Sequence, residues 1–365
     1  MTATAPQQKV TYTSTNVDLG AFHQAYDEAL AAVRAGAGRS YPLYINGKAG
    51  GIAEPGTHRR CVADRYRPRP RPLRVCHSRS RRPGGEGGAY RAEGVGQAAV
   101  AERVAILRKA AELIRDRKFD LAAVMSLEVG KSRFEAMGDA EESADLIEYY
   151  ALQVEETDGF TRPMAKMTPV EKNTEMLRPY GVFVCIAPFN FPLALSTGMS
   201  SAALLAGNAV VYKPAEDTPW TGLKLYEVYR DAGVPAGVFN YVSGHGREIG
   251  DPLWQHPLTD GVVFTGSKEV GMRIHHGISQ KWVKPCLMEL GGKNAVIVMD
   301  SADLDARRRR SDEVRLRAAE PEVQRDEPGL RASRGGPAVH CQAAGAHQGH
   351  GHGTTSPRRT STSAR

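Results

Sequence analysis

The sequence predicts an α/β protein, a parallel sheet with helices on both of its faces. Three observations predict it. Short, almost continuously apolar runs follow one another from Gly181: "GVFVCIAP", "NAVVYKP", "GVFNYVSG" and "DGVVFTGS". Helical stretches at 218–232 and 267–278 lie between them. Each run is closed by Gly, Pro or Ser, so turn chemistry gathers at one end of the strands. Apolar runs without alternation belong to strands buried on both faces, and regular strand–helix alternation makes the sheet parallel. Ligands of such sheets sit at the carboxyl ends of the strands.

The remaining elements follow in chain order. Residues 17–34, "VDLGAFHQAYDEALAAVR", read as an amphipathic helix, and "YPLYINGKAG" reads as a short hairpin, so 1–56 form an N-terminal helix and hairpin. Residues 57–95 have no usable period. Order resumes at 96 with three successive helices, their apolar residues spaced by three and four, before the α/β pattern begins. "MELGGKNAVIVMDSADLD" then carries a glutamate, a Gly-Gly turn and an apolar run, and the pattern stops after Asp305, where four arginines open the tail. The ordered domain is therefore expected over 96–306. Residues 57–95 and 307–365 are expected to be disordered.

The net charge of +7 suggests nucleic acid, but its location argues against that partner. Residues 57–95 hold 11 Arg and 3 acidic residues, residues 307–365 hold 12 Arg and 6 acidic residues, and neither segment contains a lysine. The rest of the chain is net acidic and mixes 13 Lys with 12 Arg. A basic binding face normally mixes both cations. Arginine without lysine, amid Pro and Gly, looks like GC-rich DNA translated in an unselected frame. No apolar run reaches membrane-spanning length, and "MTATAPQQKV" lacks the apolar core of a signal peptide. The five cysteines have no paired spacing, which points to a reducing cytoplasm and to neither disulfides nor a metal site.

At the ends of the runs sit "APFNFP" (187–192), "YKPAED" (212–217), "FTGSKEVG" (264–271) and "MELGGKN" (288–294). Each is weak alone. In this order and spacing they resemble the aldehyde dehydrogenase superfamily over roughly 96–306, with "YINGK" at 44–48 in addition. "NTEMLRPYGVFVCIAPFNFPLAL", "KPAEDTP" and "TGSKEVG" are similar to its glutamate semialdehyde (1-pyrroline-5-carboxylate) dehydrogenase branch. The resemblance implies a Rossmann-like cofactor domain, NAD as cofactor with NADP also possible, a small aldehyde substrate and a homo-oligomer.

Site residues follow from the same motifs. Asn190 at a strand end can offer its amide N–H to a developing oxyanion, the family's role for this position; by itself it reads better as the cap of a turn before Pro192. The resemblance places Lys213 and Glu216 on the hydroxyls of the adenosine ribose, with a solvated turn as the plain alternative, and the acid leans towards NAD. Pro188, Thr265, Gly266, Ser267, Gly271 and Leu290 fall in the same motifs and are expected to line the cofactor, the start of the helix at Ser267 suiting a pyrophosphate. "GHGREIG" (244–250) imitates a dinucleotide fingerprint; Gly246 is read as lining the adenine side, with a simple turn as the rival. The resemblance makes Glu289 the general base, with a surface glutamate beside a turn as the plain alternative, and Leu287, Met288 and Leu290 are expected to desolvate it.

A nucleophile is missing from this set. Cys185 sits within a buried run, Cys286 reads as strand packing, and Cys341 lacks the expected neighbours. The family's cysteine follows the glutamate by some thirty-odd residues in a Gly-Gln-Lys-Cys-Ser-like loop. Reading the codons one base later restores such a loop. Glu322–Val323 then allows only Lys or Arg, Val323–Gln324 allows Phe, Ser, Tyr or Cys, and 314–331 as a whole allows Ser-Gln-Lys-Cys-Ser at 34 residues beyond Glu289. The same shift over 66–79 allows a looser match. The expectation is thus a cofactor domain with an out-of-frame internal segment and tail. Its C-terminal catalytic domain and the surfaces that build the family's oligomer would be missing, and no turnover is expected. A cofactor-binding module without catalysis is the rival of a different class, and an arginine-rich nucleic-acid binder a distant third.

Overall fold

A computed structural model of the chain describes residues 9, 18–37, 41–52 and 99–292. The expectations for 57–95 and 293–365, including the disorder and the shifted loop, lie outside the described residues.

The N-terminal helix α1 (Leu19–Gly36) starts where Asp18 accepts from the N–H groups of Gly20 and Ala21, and it buries Phe22, Tyr26, Ala29 and Val33. The hairpin follows as β1 (Pro42–Ile45) and β2 (Lys48–Ile52), turned at Asn46-Gly47, both at positive φ. Three helices come next: α2 (Val100–Asp116), α3 (Lys118–Val129) and α4 (Arg133–Glu156). Gly130, at φ 70°, ends α3, and a Ser132–Glu135 capping box opens α4. A two-stranded ladder of β3 (Thr161–Pro163) and β4 (Thr174–Met176) stands apart from the main sheet.

The α/β unit runs β5 (Val182–Ile186), α5 (Ala194–Leu205), β6 (Ala209–Lys213), α6 (Pro219–Ala232), β7 (Phe239–Tyr241), a π-helical turn (Gly246–Gly250), α7 (Asp251–Gln255), β8 (Gly261–Thr265), α8 (Lys268–Ile278) and β9 (Cys286–Glu289). The sheet order is β2-β1-β7-β6-β5-β8-β9, parallel from β7 to β9. The hairpin joins it antiparallel, Tyr44 opposite Tyr241, so the sheet is mostly rather than wholly parallel.

Alternation along the strands divides the core in two. Phe183, Cys185, Val210, Tyr212 and Phe239 pack with α1–α6 on one face, while Val184, Val211, Val242, Val262 and Phe264 pack under Leu253, Trp254, Ile274 and Ile278 on the other. Chain order reverses between β5 and β8, so the crevice at their carboxyl ends is the switch point where such folds hold ligands. No helix among the described residues is long and apolar enough to cross a membrane.

Candidate active site

The carboxyl ends of β5–β9 bring the expected residues to one edge. At the β5 exit, Pro188 is half-buried and Asn190 Oδ1 accepts from the N–H of Phe191 at 3.0 Å. That bond fixes the amide: the oxygen is turned to the backbone, which leaves Nδ2 as the group to donate elsewhere. The loop is clamped from below by two residues that sequence reasoning missed. Lys131 Nζ donates to the Asn190 carbonyl at 2.7 Å and to Asp139 Oδ2 at 3.1 Å, and lies 3.8 Å from the centroid of the Phe191 ring. Asp139 Oδ1 accepts from the N–H of Ala194 at 2.6 Å. Burial draws the Asp139 carboxyl up to about 6, against the pull of Lys131 and the Ala194 N–H.

At the β6 exit, Lys213 is 4% exposed and donates to the Pro214 carbonyl at 3.0 Å. Burial pulls its ammonium down to about 8, while Glu216 and Asp217 work to hold the proton on. Glu216 lies at the surface, where its Oε2 faces His245 Nδ1 at 3.1 Å and accepts from the N–H of Gly246 at 3.3 Å. Partial burial works to raise the Glu216 carboxyl, but these partners outweigh it and hold it below the ordinary range. Helix α6 begins on this loop and lacks a side-chain cap of its own. Glu128 of α3 supplies one, accepting from Trp220 N at 2.6 Å, Thr221 N at 2.8 Å and Thr221 Oγ1 at 2.6 Å. Burial pushes the Glu128 carboxyl up to about 7 despite these bonds.

On the other side of β5, Thr265 pairs with Glu289 across β8 and β9, and Gly266 N donates to the Glu289 carbonyl at 3.1 Å. Ser267 caps α8 by accepting from Val270 N, leaving an exposed helix N-terminus suited to an anion. A Cβ on Gly271 would come within 2.4 Å of Leu290 Cδ2, so glycine lets α8 lie against the chain leaving β9. Gly246 has open space where a Cβ would be. An acid and a cation at one strand exit, with a helix N-terminus two strands away, form a donor and acceptor set whose chemistry fits a ligand carrying both hydroxyls and phosphates.

One expectation changes. Glu289 is exposed, and so is Leu287 at 54%. Strand alternation turns Cys286 and Met288 inward and Leu287 and Glu289 outward, so the expected desolvating wall is not built from Leu287. The Glu289 charge lies close enough to Tyr150 to add to the rise that burial gives that phenol. Cys185 is fully buried, and burial pushes its thiol far above the ordinary range. Burial also raises the half-buried Cys286. Cys61, Cys76 and Cys341 lie outside the described residues.

Residues 89–311 match the aldehyde dehydrogenase family. A 1-pyrroline-5-carboxylate dehydrogenase of Bacillus mycoides is 43% identical over 209 residues, covering 56% of this chain and 40% of that protein. A crystal structure of 1-pyrroline-5-carboxylate dehydrogenase from Thermus with bound NAD aligns at 32% identity and a TM-score of 0.64, over 83% of this chain and 59% of that one. Proline utilization A from Bdellovibrio bacteriovorus aligns at 29% identity and a TM-score of 0.64, over 82% of this chain and 32% of that one. The chain thus spans about 40% of the length of the curated relatives it matches. With more than half of its length matched, from 89 to 311, the chain belongs to the aldehyde dehydrogenase family.

Proposed function

We propose that this chain is the cofactor-binding part of an NAD(P)-dependent aldehyde dehydrogenase whose substrate is L-glutamate 5-semialdehyde, and that as encoded it binds the dinucleotide without turning over. The single observation that carries the reading is that Asn190, Lys213, Glu216, Ser267 and Glu289 all lie at the carboxyl edge of the parallel strands of one sheet. Oxidation of an aldehyde through a thioester needs a thiolate, a donor for the oxyanion, a hydride acceptor and a base. Asn190 offers Nδ2 as the oxyanion donor. Glu289 stands in water at the end of β9, where it can take a proton from a hydrolytic water. Lys213 and Glu216 hold the ribose diol, and the N-terminus of α8 takes the pyrophosphate. Bound NAD supplies the hydride acceptor. The substrate comes from the relatives named 1-pyrroline-5-carboxylate dehydrogenase.

The thiolate has no counterpart at this edge among the described residues. Cys185 lies inside β5, and Cys286 precedes Glu289 on its own strand. We read the arginine-rich tail after Asp305 as out of frame, with the cysteine loop encoded one base over. We read the setting as cytoplasmic, with neither nucleic acid nor membrane as partner. Calorimetry with NAD, alongside an assay of aldehyde-dependent NADH formation, tests the reading: binding without turnover supports it, and turnover at rates typical of such enzymes overturns the inactivity. The nucleotide sequence over 314–331 tests the frame.

A further inference from the structure

His245, at the exit of β7, has no part in the chemistry above, yet it touches the residue that chooses between cofactors. Its Nδ1 lies 3.1 Å from Glu216 Oε2. With that carboxylate held in its ionised form it can only accept, so His245 Nδ1 is the donor. The His245 side chain is 32% exposed, so solvent reaches it. Histidine is the side chain whose charge ordinarily changes in the neutral range.

We propose that His245 is a specificity-determining residue for the adenosine end of the cofactor: its charge state sets how strongly Glu216 rejects a phosphate on the ribose 2′-oxygen. The proposal rests on the reading of Lys213 and Glu216 as the ribose site. With His245 neutral, the carboxylate accepts from the diol of NAD and repels the 2′-phosphate of NADP. With His245 protonated, a cation stands against that carboxylate, cancels much of its field and adds to the charge of Lys213. The facing carboxylate is Glu216, which itself feels Lys213 at the end of β6 and Asp217 beside it, and Arg247 and Glu248 follow His245 on its own turn. Lys213, at about 8, stays cationic on the acid side of neutrality. Asp217 is drawn upward by burial and by Glu216, and the 2′-phosphate has a second ionisation at about pH 6.

The test measures NAD and NADP affinity of the full chain by calorimetry from about pH 5.5 to 7.5, for the native protein and for His245→Gln and His245→Lys. Gln keeps an N–H donor without the charge, so it reports whatever Asp217 and the phosphate contribute alone. Between those limits the preference for NADP should rise about fivefold more in the native chain than in His245→Gln, the scale of a half-exposed ion pair. His245→Lys should bind NADP more tightly than the native chain at pH 7.5. Identical pH dependence in the native chain and His245→Gln, with both binding, overturns the proposal, as does a His245→Lys chain that binds NADP no better. If no form binds either dinucleotide, the ribose-site reading falls and takes the proposal with it.

Discussion

Replacing Lys131 with methionine removes the ammonium that joins the Asn190 loop to α4 while keeping the apolar stem. The side chains of Lys131 and Asp139 are 7% and 0% exposed, so Asp139 would be left as a buried carboxylate with the Ala194 N–H as its remaining donor. Breaking one partner out of a buried pair costs about 3–5 kcal/mol, a large share of the roughly 5–15 kcal/mol that holds a domain together. The loss should depend on pH. With Lys131 present the Asp139 carboxyl is already drawn up to about 6, and without the cation it lies higher still. An acid whose folded value exceeds its unfolded value adds stability below the unfolded value and loses it as pH rises through the folded one. The deficit of Lys131→Met is therefore largest near pH 7.5 and smaller near pH 5, where the carboxyl takes up a proton. Denaturant unfolding followed by circular dichroism at both pH values measures it, and the double variant Lys131→Met/Asp139→Asn should recover much of the loss. A deficit below about 1 kcal/mol at pH 7.5, or one that grows on acidification, refutes the reasoning.

Further outcomes follow from the same structure. Glu128, buried against the start of α6 with its carboxyl at about 7 against an ordinary 4.5, should make native stability fall as pH rises between those values, and Glu128→Gln should flatten that slope in an unfolding series. Gly261→Ala should cost about 1–3 kcal/mol in the same assay, because the new Cβ would meet Phe183 Cζ at 2.6 Å and Pro285 Cγ at 2.9 Å. Cys185 should resist alkylation until the chain is unfolded, read by mass spectrometry of the modified peptide, since it is fully buried in β5.

The strands and most helices were legible because their residues carry the period that burial imposes. Val182–Ile186 and Gly261–Thr265 are continuous apolar runs because both faces of β5 and β8 are covered. Helix α5 was not legible: Ser, Thr and Gly crowd its sequence, and their polarity is absorbed only in the fold, where the Ser196 and Ser200 hydroxyls bond to carbonyls one turn back and meet Tyr212 and Tyr229. The β3–β4 ladder has three-residue strands of mostly exposed residues, too short and polar to show a period.

Within the candidate site, the motif residues could be named because turn chemistry and the family's order mark them. The clamp beneath them was not: Lys131 stands between α3 and α4 and Asp139 within α4, in a stretch read only as successive helices. A signal existed: Ala136, Ala140, Ser143 and Ile147 trace the buried stripe of α4, and Asp139 falls on it. A carboxylate on a buried stripe demands a partner. The outward turn of Glu289 was missed for a simpler reason, because apolar neighbours in sequence are not neighbours in space on a strand.

The most direct test of the account is calorimetric titration of the full 365-residue chain with NAD, beside the variant Lys213→Ala/Glu216→Ala. The account predicts saturable binding at one site in the native chain and its loss in a variant that remains folded by circular dichroism. A native chain that is folded yet binds no NAD, or a variant that binds it equally well, would contradict the claim that the carboxyl edge of this sheet is a dinucleotide site.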